Sequence, residues 1–181
     1  MARRNDTSKI GDAAEQEVDN LLSERGWIVT NLNEQKRNNP TYDLVALKGS
    51  FEIFISVKAA RAKRQLRLGH PRSLSRVSDG SFIFVLIPQE KGEELNINAQ
   101  KYELWIVPGH AREDALRVHN HYHRANPEKA FERGQTIMLK DKVDREGGRS
   151  ISGSAFQRWR KLYKDAWHIL PVEEAKKVAN S

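Results

Sequence analysis

One predicted hairpin, over residues 42–58, constrains the fold of this chain more than any other stretch. Two runs rich in β-branched and apolar residues flank Gly49-Ser50, a pattern typical of a tight antiparallel turn. If these two residues form the turn, the register places Asp43 directly opposite Ser56. Because side chains alternate between the faces of a strand, Asp43, Ser56 and Lys58 then share one face. We therefore predict that an acid and a lysine meet at the open end of an apolar hairpin.

Length and composition favour a globular domain with a basic surface. The 181 residues are 38% hydrophobic and 30% charged, and the net charge of +7 favours a polyanionic partner such as DNA. The absence of cysteine excludes disulfides and Cys-ligated zinc. No apolar run approaches the ~20 residues of a membrane span, and the basic start leads into a charged helix rather than a signal region. We predict a cytoplasmic protein without membrane association.

Hydrophobic periodicity predicts an α/β (α+β) fold, in which helices flank a mixed central β-sheet. Besides the hairpin, the predicted elements are a helix from Thr7 or Ser8 to about Arg25, a strand over 27–32, a short helix over 73–77, strands over 82–87 and 102–107, a helix over 112–119, a short strand over 136–139 and a helix over 154–167. Residues 33–41 and 141–153 are predicted to be loops. We predict one domain over 1–181, with its core at about 8–108 and a C-terminal helical extension at about 109–181.

Four short motifs occur in a suggestive order: Gly11-Asp12-Ala13-Ala14-Glu15, Gly26-Trp27, Tyr42-Asp43-Leu44-Val45 and Ser56-Val57-Lys58. Together they resemble the PD-(D/E)XK nuclease superfamily, most closely its Holliday-junction-resolvase-like and restriction-endonuclease-like branches. Each motif is short, so their order and spacing carry the resemblance, which covers about residues 8–87. It implies a restriction-endonuclease-like αβββαβ core and a metal-dependent DNA endonuclease.

The resemblance also implies roles for individual residues. Asp43 and Glu15 would be carboxylate ligands of Mg²⁺ or Mn²⁺, and the backbone carbonyl of Val57 would be a further ligand. Lys58 would position the attacking water and offset negative charge in the transition state. A hard divalent cation suits these oxygen ligands and can lower the pKa of a bound water. Nucleases of this type often act as dimers, so a homodimer is a candidate assembly.

Ser56 departs from the motif, because it stands where the family has an acid two residues before the lysine. A hydroxyl is a poor ligand, so the metal would bind more weakly unless another acid compensates. Glu52 lies ~20 Å away along the strand and is too far to do so. Glu15 is the best replacement, ahead of Glu17, Asp19 and Glu34.

Ser56 keeps two alternatives to a nuclease open. The first is a degenerate nuclease fold that binds nucleic acid or a protein without cleaving. The second is a basic α/β module with no nucleic-acid role. Taken singly, Asp43 is also typical of a turn, Lys58 of a strand end and Glu15 of a solvated helix face. Their predicted convergence favours the nuclease-like interpretation.

A basic stretch follows the motif lysine, and residues 59–78 contain no acid. Arg61, Lys63, Arg64 and Arg67 are therefore candidates to contact the phosphates of a nucleic acid. The alternative interpretation is an ordinary solvated surface.

Two further patterns have plainer explanations than the functional ones they suggest. Histidines alternate at His119, His121 and His123, which could indicate a metal site or another nuclease family, but the pattern is more typical of a surface turn. An aromatic stripe is more typical of core packing than of base stacking; it comprises Phe156, Trp159, Tyr163 and Trp167.

Overall fold

The structure is a computed structural model that describes residues 2–35, 41–61, 65–90, 92–123, 136–142, 148 and 150–171. Its helices are α1 (Ala2–Ser23), α2 (Leu32–Gln35), α3 (Pro71–Ser75), α4 (Arg112–Tyr122) and α5 (Ile151–Tyr163), with 3₁₀ turns at Gly109–Ala111 and Trp167–Ile169. Its strands are β1 (Ile28–Asn31), β2 (Leu44–Lys48), β3 (Phe51–Ala59), β4 (Gln65–Gly69), β5 (Phe82–Pro88), β6 (Tyr102–Pro108) and β7 (Ile137–Lys140).

Five of the strands form one mixed sheet in the order β1-β2-β3-β5-β6, while β4 and β7 pair separately. Strands β3 and β5 are parallel, and the other neighbours in the sheet are antiparallel. The connection from β3 to β5 carries β4 and α3, because parallel neighbours require a crossover. The predicted α/β fold, with a mixed central sheet flanked by helices, is confirmed.

Strand β5 is buried along its whole length, and its alternate side chains enter two different hydrophobic clusters. Phe84 and Leu86 join a cluster in which α1 packs against the sheet. Ile83 and Val85 join a second cluster on the other face, together with side chains from β4, β7, α4 and α5. A layer that contains the small second sheet therefore covers the face of the central sheet opposite α1.

The hairpin has the register that the sequence predicts. Lys48 pairs with Phe51 across the turn and Leu44 pairs with Ile55. One residue beyond the ladder, the backbone N–H of Asp43 donates to the carbonyl of Ile55 at 2.8 Å. Asp43 therefore lies opposite the next residue of β3, as predicted.

Strand β4 was not predicted, because it lies within the basic stretch. Leu66 and Leu68 are fully buried, whereas Arg67 between them is exposed. This alternation is a strand signal, but its partner β7 lies about seventy residues further on. Pairing between β4 and β7 thus depends on tertiary structure rather than on local sequence.

Several predicted boundaries were wrong. Helix α1 begins at Ala2 rather than at Thr7 or Ser8, and α2 lies within the predicted loop over 33–41. Helix α5 begins inside the predicted loop over 141–153, because the Ser150 hydroxyl caps it by accepting the Gly153 N–H at 3.0 Å.

The predicted surface turn at the three histidines was also wrong. Helix α4 extends through this segment to Tyr122. The side chain of His119 is buried, and its neighbour Val118 packs in the second cluster.

The aromatic stripe is largely core, as predicted. Phe156 and Trp159 are buried in the second cluster, and Tyr163 packs against it. Trp167 instead packs against the cluster beneath α1, where its ring lies 5.9 Å from that of Phe84.

The part of the chain after residue 108 is not purely helical, since it contributes β7. The division between a core and an extension near this residue stays a prediction. Within the described ranges, no helix combines the length and the apolar character that crossing a membrane requires.

Asp114 connects α4 to α5. Its carboxylate accepts hydrogen bonds from Arg117 and Arg158 and from the indole N–H of the buried Trp159, the last at 2.9 Å. Burial alone would raise the pKa of Asp114, but the three donors outweigh it and lower the pKa below the ordinary value of 3.8.

We expect Asp114→Asn to lower the free energy of unfolding at pH 7 by about 2 kcal/mol, because hydrogen bonds to a charged acceptor are lost. A lowered folded-state pKa stabilises the protein above the unfolded-state value and ceases to do so as pH falls through the folded-state pKa. The difference between the wild type and the variant should therefore shrink below pH 3.8. Urea unfolding at pH 7 and below pH 3.8 measures this difference in stability. A difference that is constant with pH would contradict the role of the Asp114 carboxylate.

Candidate active site at the open end of the hairpin

Asp43 lies at the open end of the hairpin, where β2 begins and β3 continues past it. Its Oδ2 atom accepts the backbone N–H of Val57 at 2.6 Å and the hydroxyl of Ser56 at 3.3 Å. The Lys58 ammonium lies 3.4 Å from the same oxygen. Among the described residues no donor contacts Oδ1, so this oxygen remains available to a ligand. The side chain is 18% exposed, which makes it accessible but largely desolvated.

Lys58 neutralises this end of the hairpin. Its Nζ donates to the carbonyl oxygen of Val57 at 2.9 Å and contacts Asp43. The ammonium therefore lies between the two oxygens that the resemblance proposes as metal ligands. Because its side chain is 30% exposed, the ammonium is also within reach of a bound phosphate.

Glu15 reaches the same region from α1. Its carboxylate accepts hydrogen bonds from Asn33, at 3.2 Å, and from Asn31, at 3.4 Å. Burial raises the pKa of Glu15 above 4.5; the bond from Asn33 opposes this rise, and the negative charge of Asp43 adds to it. The two carboxylates therefore repel each other through space, although among the described residues no hydrogen bond bridges them. A cation near both would relieve that repulsion.

Ser56 occupies the position of the missing acid and is only 3% exposed. Its hydroxyl donates a hydrogen bond to Asp43. Ser56 is therefore a neutral partner of that carboxylate and adds no second charge. At this end of the hairpin, the oxygens next to Lys58 are therefore the carboxylate of Asp43 and the carbonyl of Val57, without a second acid at position 56.

Of the three alternative acids, Glu17 and Asp19 have other partners than the site. The carboxylate of Glu17 accepts the hydroxyl of Tyr102, and that of Asp19 accepts the hydroxyl of Ser23 at 3.1 Å. The side chain of Glu34 lies outside the described residues. Across the described ranges, no group of three or more His, Cys, Asp or Glu side chains is placed to hold a metal ion.

A cavity of about 250 Å³ opens beside Asp43, Ser56 and Lys58. Its other wall comes from the end of β4 and from α3, elements that follow the hairpin in the chain and fold back over it. Gly69 has a φ of +93°, and a Cβ there would lie 3.7 Å from Cε of Lys58. His70 also lines the cavity, and its Nδ1 accepts the N–H of Arg72 at 3.0 Å to cap α3. Sequence reasoning predicted a short helix here but missed β4, and with it the cavity.

The predicted nucleic-acid contacts divide between different places. Arg61 forms an ion pair with Glu94 at 3.6 Å. Arg67 lines a second, larger cavity rather than the one beside Asp43. Lys63 and Arg64 lie outside the described residues. The role of all four residues in binding nucleic acid stays a prediction.

Fold and site together define a mixed α/β protein with an Asp–Lys pair at the mouth of a central hairpin. No protein-family model and no curated protein matches the chain in sequence. Among solved structures, the chain is similar to a Holliday junction resolvase, Hjc, from Archaeoglobus fulgidus, with 14% identity and a TM-score of 0.40. The similarity covers 55% of this chain and 73% of the resolvase, and it is too weak to assign a function.

Proposed function

We propose that this protein is a metal-dependent nuclease that hydrolyses phosphodiester bonds in DNA. The observation that carries this proposal is the convergence of Asp43, the carbonyl of Val57 and the ammonium of Lys58 at one point beside an open cavity. Glu15 adds a second carboxylate nearby. The carboxylates and the carbonyl in this group are the hard oxygen ligands that Mg²⁺ and Mn²⁺ prefer.

Asp43, Glu15 and the carbonyl of Val57 would hold the ion. The chemistry that such an ion supplies is charge neutralisation at a phosphate and a lower pKa for its bound water. Val57 N–H fixes the orientation of Asp43, whose Oδ1 would be free to bind the ion. Lys58 would turn its ammonium from Asp43 to a non-bridging phosphate oxygen and offset the charge that develops there. Cleavage adds the oxygen of water to phosphorus and expels one ester oxygen, which takes up a proton.

One observation favours a second function, the binding of nucleic acid without cleavage. Lys58 already neutralises Asp43, and Ser56 contributes no charge, so the site is balanced without a metal. In this alternative Lys58 holds a phosphate and no water is activated.

A cleavage assay separates the two functions. We expect nicking of supercoiled plasmid or cutting of single-stranded DNA that requires Mg²⁺ or Mn²⁺, stops in EDTA and is abolished by Lys58→Gln. Lys101→Gln, an exposed lysine that lines none of the cavities described, is the control for loss of one charge. Salt-sensitive binding of DNA that persists in EDTA, with no cleavage at any metal concentration, would instead support the second function.

Ser56→Glu tests whether the site retains the geometry of a metal centre. A glutamate there would place a third carboxylate against Asp43, since Ser56 Oγ lies 3.3 Å from its Oδ2. We expect the variant to lose about 1–3 kcal/mol of stability in EDTA through like-charge repulsion. Added Mg²⁺ should restore this stability, at about 2.7 kcal/mol when its concentration is 100 times Kd.

Thermal unfolding with and without Mg²⁺ measures this effect, and Ser56→Gln controls for the size of the new side chain. A Mg²⁺-dependent stabilisation no larger in Ser56→Glu than in Ser56→Gln would show that the oxygens do not converge on an ion.

A further inference from the structure

A second cavity of about 490 Å³ lies on the layer that covers the central sheet, bounded by β4, β7, the end of α4 and the start of α5. Its volume falls within the range of pockets that bind small molecules. The cavity shares no lining residue with the one beside Asp43. It is therefore a separate candidate site.

Three cationic side chains line this cavity: Arg67, Lys140 and Lys142. All three are exposed, and within the described residues none forms an ion pair. The described lining contains no carboxylate. Asp141, which stands between the two lysines, accepts a hydrogen bond from Gln157 at 2.8 Å and does not line the cavity. Cations without a carboxylate partner around a concave surface favour an anionic ligand.

Rings at the C-terminal end of α4 form another part of the wall. His119 is 9% exposed, and in the described part of the chain no hydrogen bond satisfies its imidazole. Its ring lies 4.5 Å from that of His123. Tyr122 is 52% exposed, and its hydroxyl accepts the N–H of Ser152 at 3.4 Å, which holds its ring at the cavity.

The imidazole of His119 is suited to a polar group that is not charged. Burial lowers the pKa of His119, and the neighbouring His123 and His70 lower it further. A neutral imidazole both donates and accepts a hydrogen bond, as the edge of a nucleobase does.

We propose that this cavity binds a nucleoside phosphate. Arg67, Lys140 and Lys142 hold the phosphate, because charge-assisted hydrogen bonds to phosphate are the strongest that these side chains form. The base lies against the rings of His119 and Tyr122, where stacking and a ring-nitrogen hydrogen bond recognise it.

The ligand has two possible sources with the same chemistry, a free nucleotide and the 5′-phosphorylated end of a nucleic-acid strand. Arg67 lies two residues before Gly69, which lines the cavity beside Asp43, and two residues span ~7 Å along a strand. The two cavities thus lie on neighbouring parts of β4. Binding at the second cavity does not require cleavage at the first.

Fluorescence anisotropy in EDTA tests the proposal without cleavage. The probe is a 3′-labelled single-stranded oligonucleotide with or without a 5′-phosphate, and the competitors are AMP, adenosine and inorganic phosphate. The test variant is Lys140→Gln with Lys142→Gln. The matched control removes two exposed lysines that line neither cavity, Lys101→Gln with Lys161→Gln. Thermal unfolding confirms that both variants are folded.

We expect the 5′-phosphorylated probe to bind more tightly than the unphosphorylated one, and AMP to compete better than adenosine or phosphate. The test variant should bind about tenfold more weakly than the wild type, and the control within about twofold. Competition by AMP at the affinity of the phosphorylated probe identifies a free nucleotide as the ligand, and a strong preference for the probe identifies a strand end.

Three results would overturn the proposal: equal affinity for both probes without competition by AMP, competition by phosphate as strong as by AMP, or equal weakening by the test and control variants. Asp43→Asn keeps this outcome separate from the proposed nuclease activity. It removes the carboxylate of the first cavity, and competition by AMP at the second, which Asp43 does not line, should be unchanged.

Discussion

Asp43→Asn is expected to lower the rate of metal-dependent DNA cleavage by about 100- to 1000-fold. The amide keeps the size of the side chain but loses the charge that attracts a cation and balances Lys58. In the wild type the N–H of Val57 donates to the carboxylate at 2.6 Å. In the variant this N–H faces either the neutral amide oxygen or the amide NH₂ group. Initial rates of plasmid nicking in Mg²⁺, with the EDTA background subtracted, measure the loss.

Glu52→Gln is the matched control for this variant. It makes the same carboxylate-to-amide change on the same hairpin, on an exposed side chain four residue pairs from Asp43. We expect its cleavage rate to stay within about twofold of the wild type. Thermal stabilisation by Mg²⁺ or Mn²⁺ gives a second readout, which Asp43→Asn should abolish and Glu52→Gln should retain. Equal cleavage and equal metal stabilisation in the two variants would remove Asp43 from the site.

Gly109→Ala is expected to cause the largest loss of stability of any single methyl addition described here, at least about 3 kcal/mol. A Cβ at this position would overlap the carbonyl oxygen of Ser78 and lie 2.9 Å from its carbonyl carbon and 3.0 Å from Oγ of Ser81. Backbone atoms cannot yield as a flexible side chain can. The N–H of Gly109 also donates to the carbonyl of Ser81 at 2.7 Å, so the turn is held from both sides.

The turn that Gly109→Ala disturbs is also connected to the candidate active site beside Asp43. The N–H of Ser78 donates to the hydroxyl of Tyr42 at 2.9 Å, and Tyr42 immediately precedes Asp43. Gly80→Ala is the control, because a Cβ there meets no atom within 4 Å, and we expect it to change stability by less than about 0.5 kcal/mol. Urea unfolding measures both. Similar stabilities for the two variants would show that the turn can shift to accept the methyl group.

The hairpin shows why part of the site could be predicted. Its two strands are joined by a two-residue turn, so the spacing of the residues determines the register without help from the rest of the chain. The placement of Asp43 opposite Ser56 and near Lys58 followed from that register alone. The buried strand β5 was equally predictable, because its continuous apolar run has few alternatives to a central strand.

The second wall of the site could not be predicted in the same way. Strand β4 and helix α3 close the cavity beside Lys58, and β4 is held by its partner β7 from far along the chain. The local signal of β4 is only five residues long and includes an arginine. Such a segment is equally typical of a basic loop between two other elements. His119 was misplaced for the same reason, since its burial depends on what packs against α4.

The sequence by itself determined the acid–lysine pair and the central strands, since local register and hydrophobic pattern are properties of neighbouring residues. Tertiary structure alone decided that Arg67 lines a second cavity and that His119 is buried. These placements depend on contacts between segments distant in the chain, whose geometry no local pattern specifies.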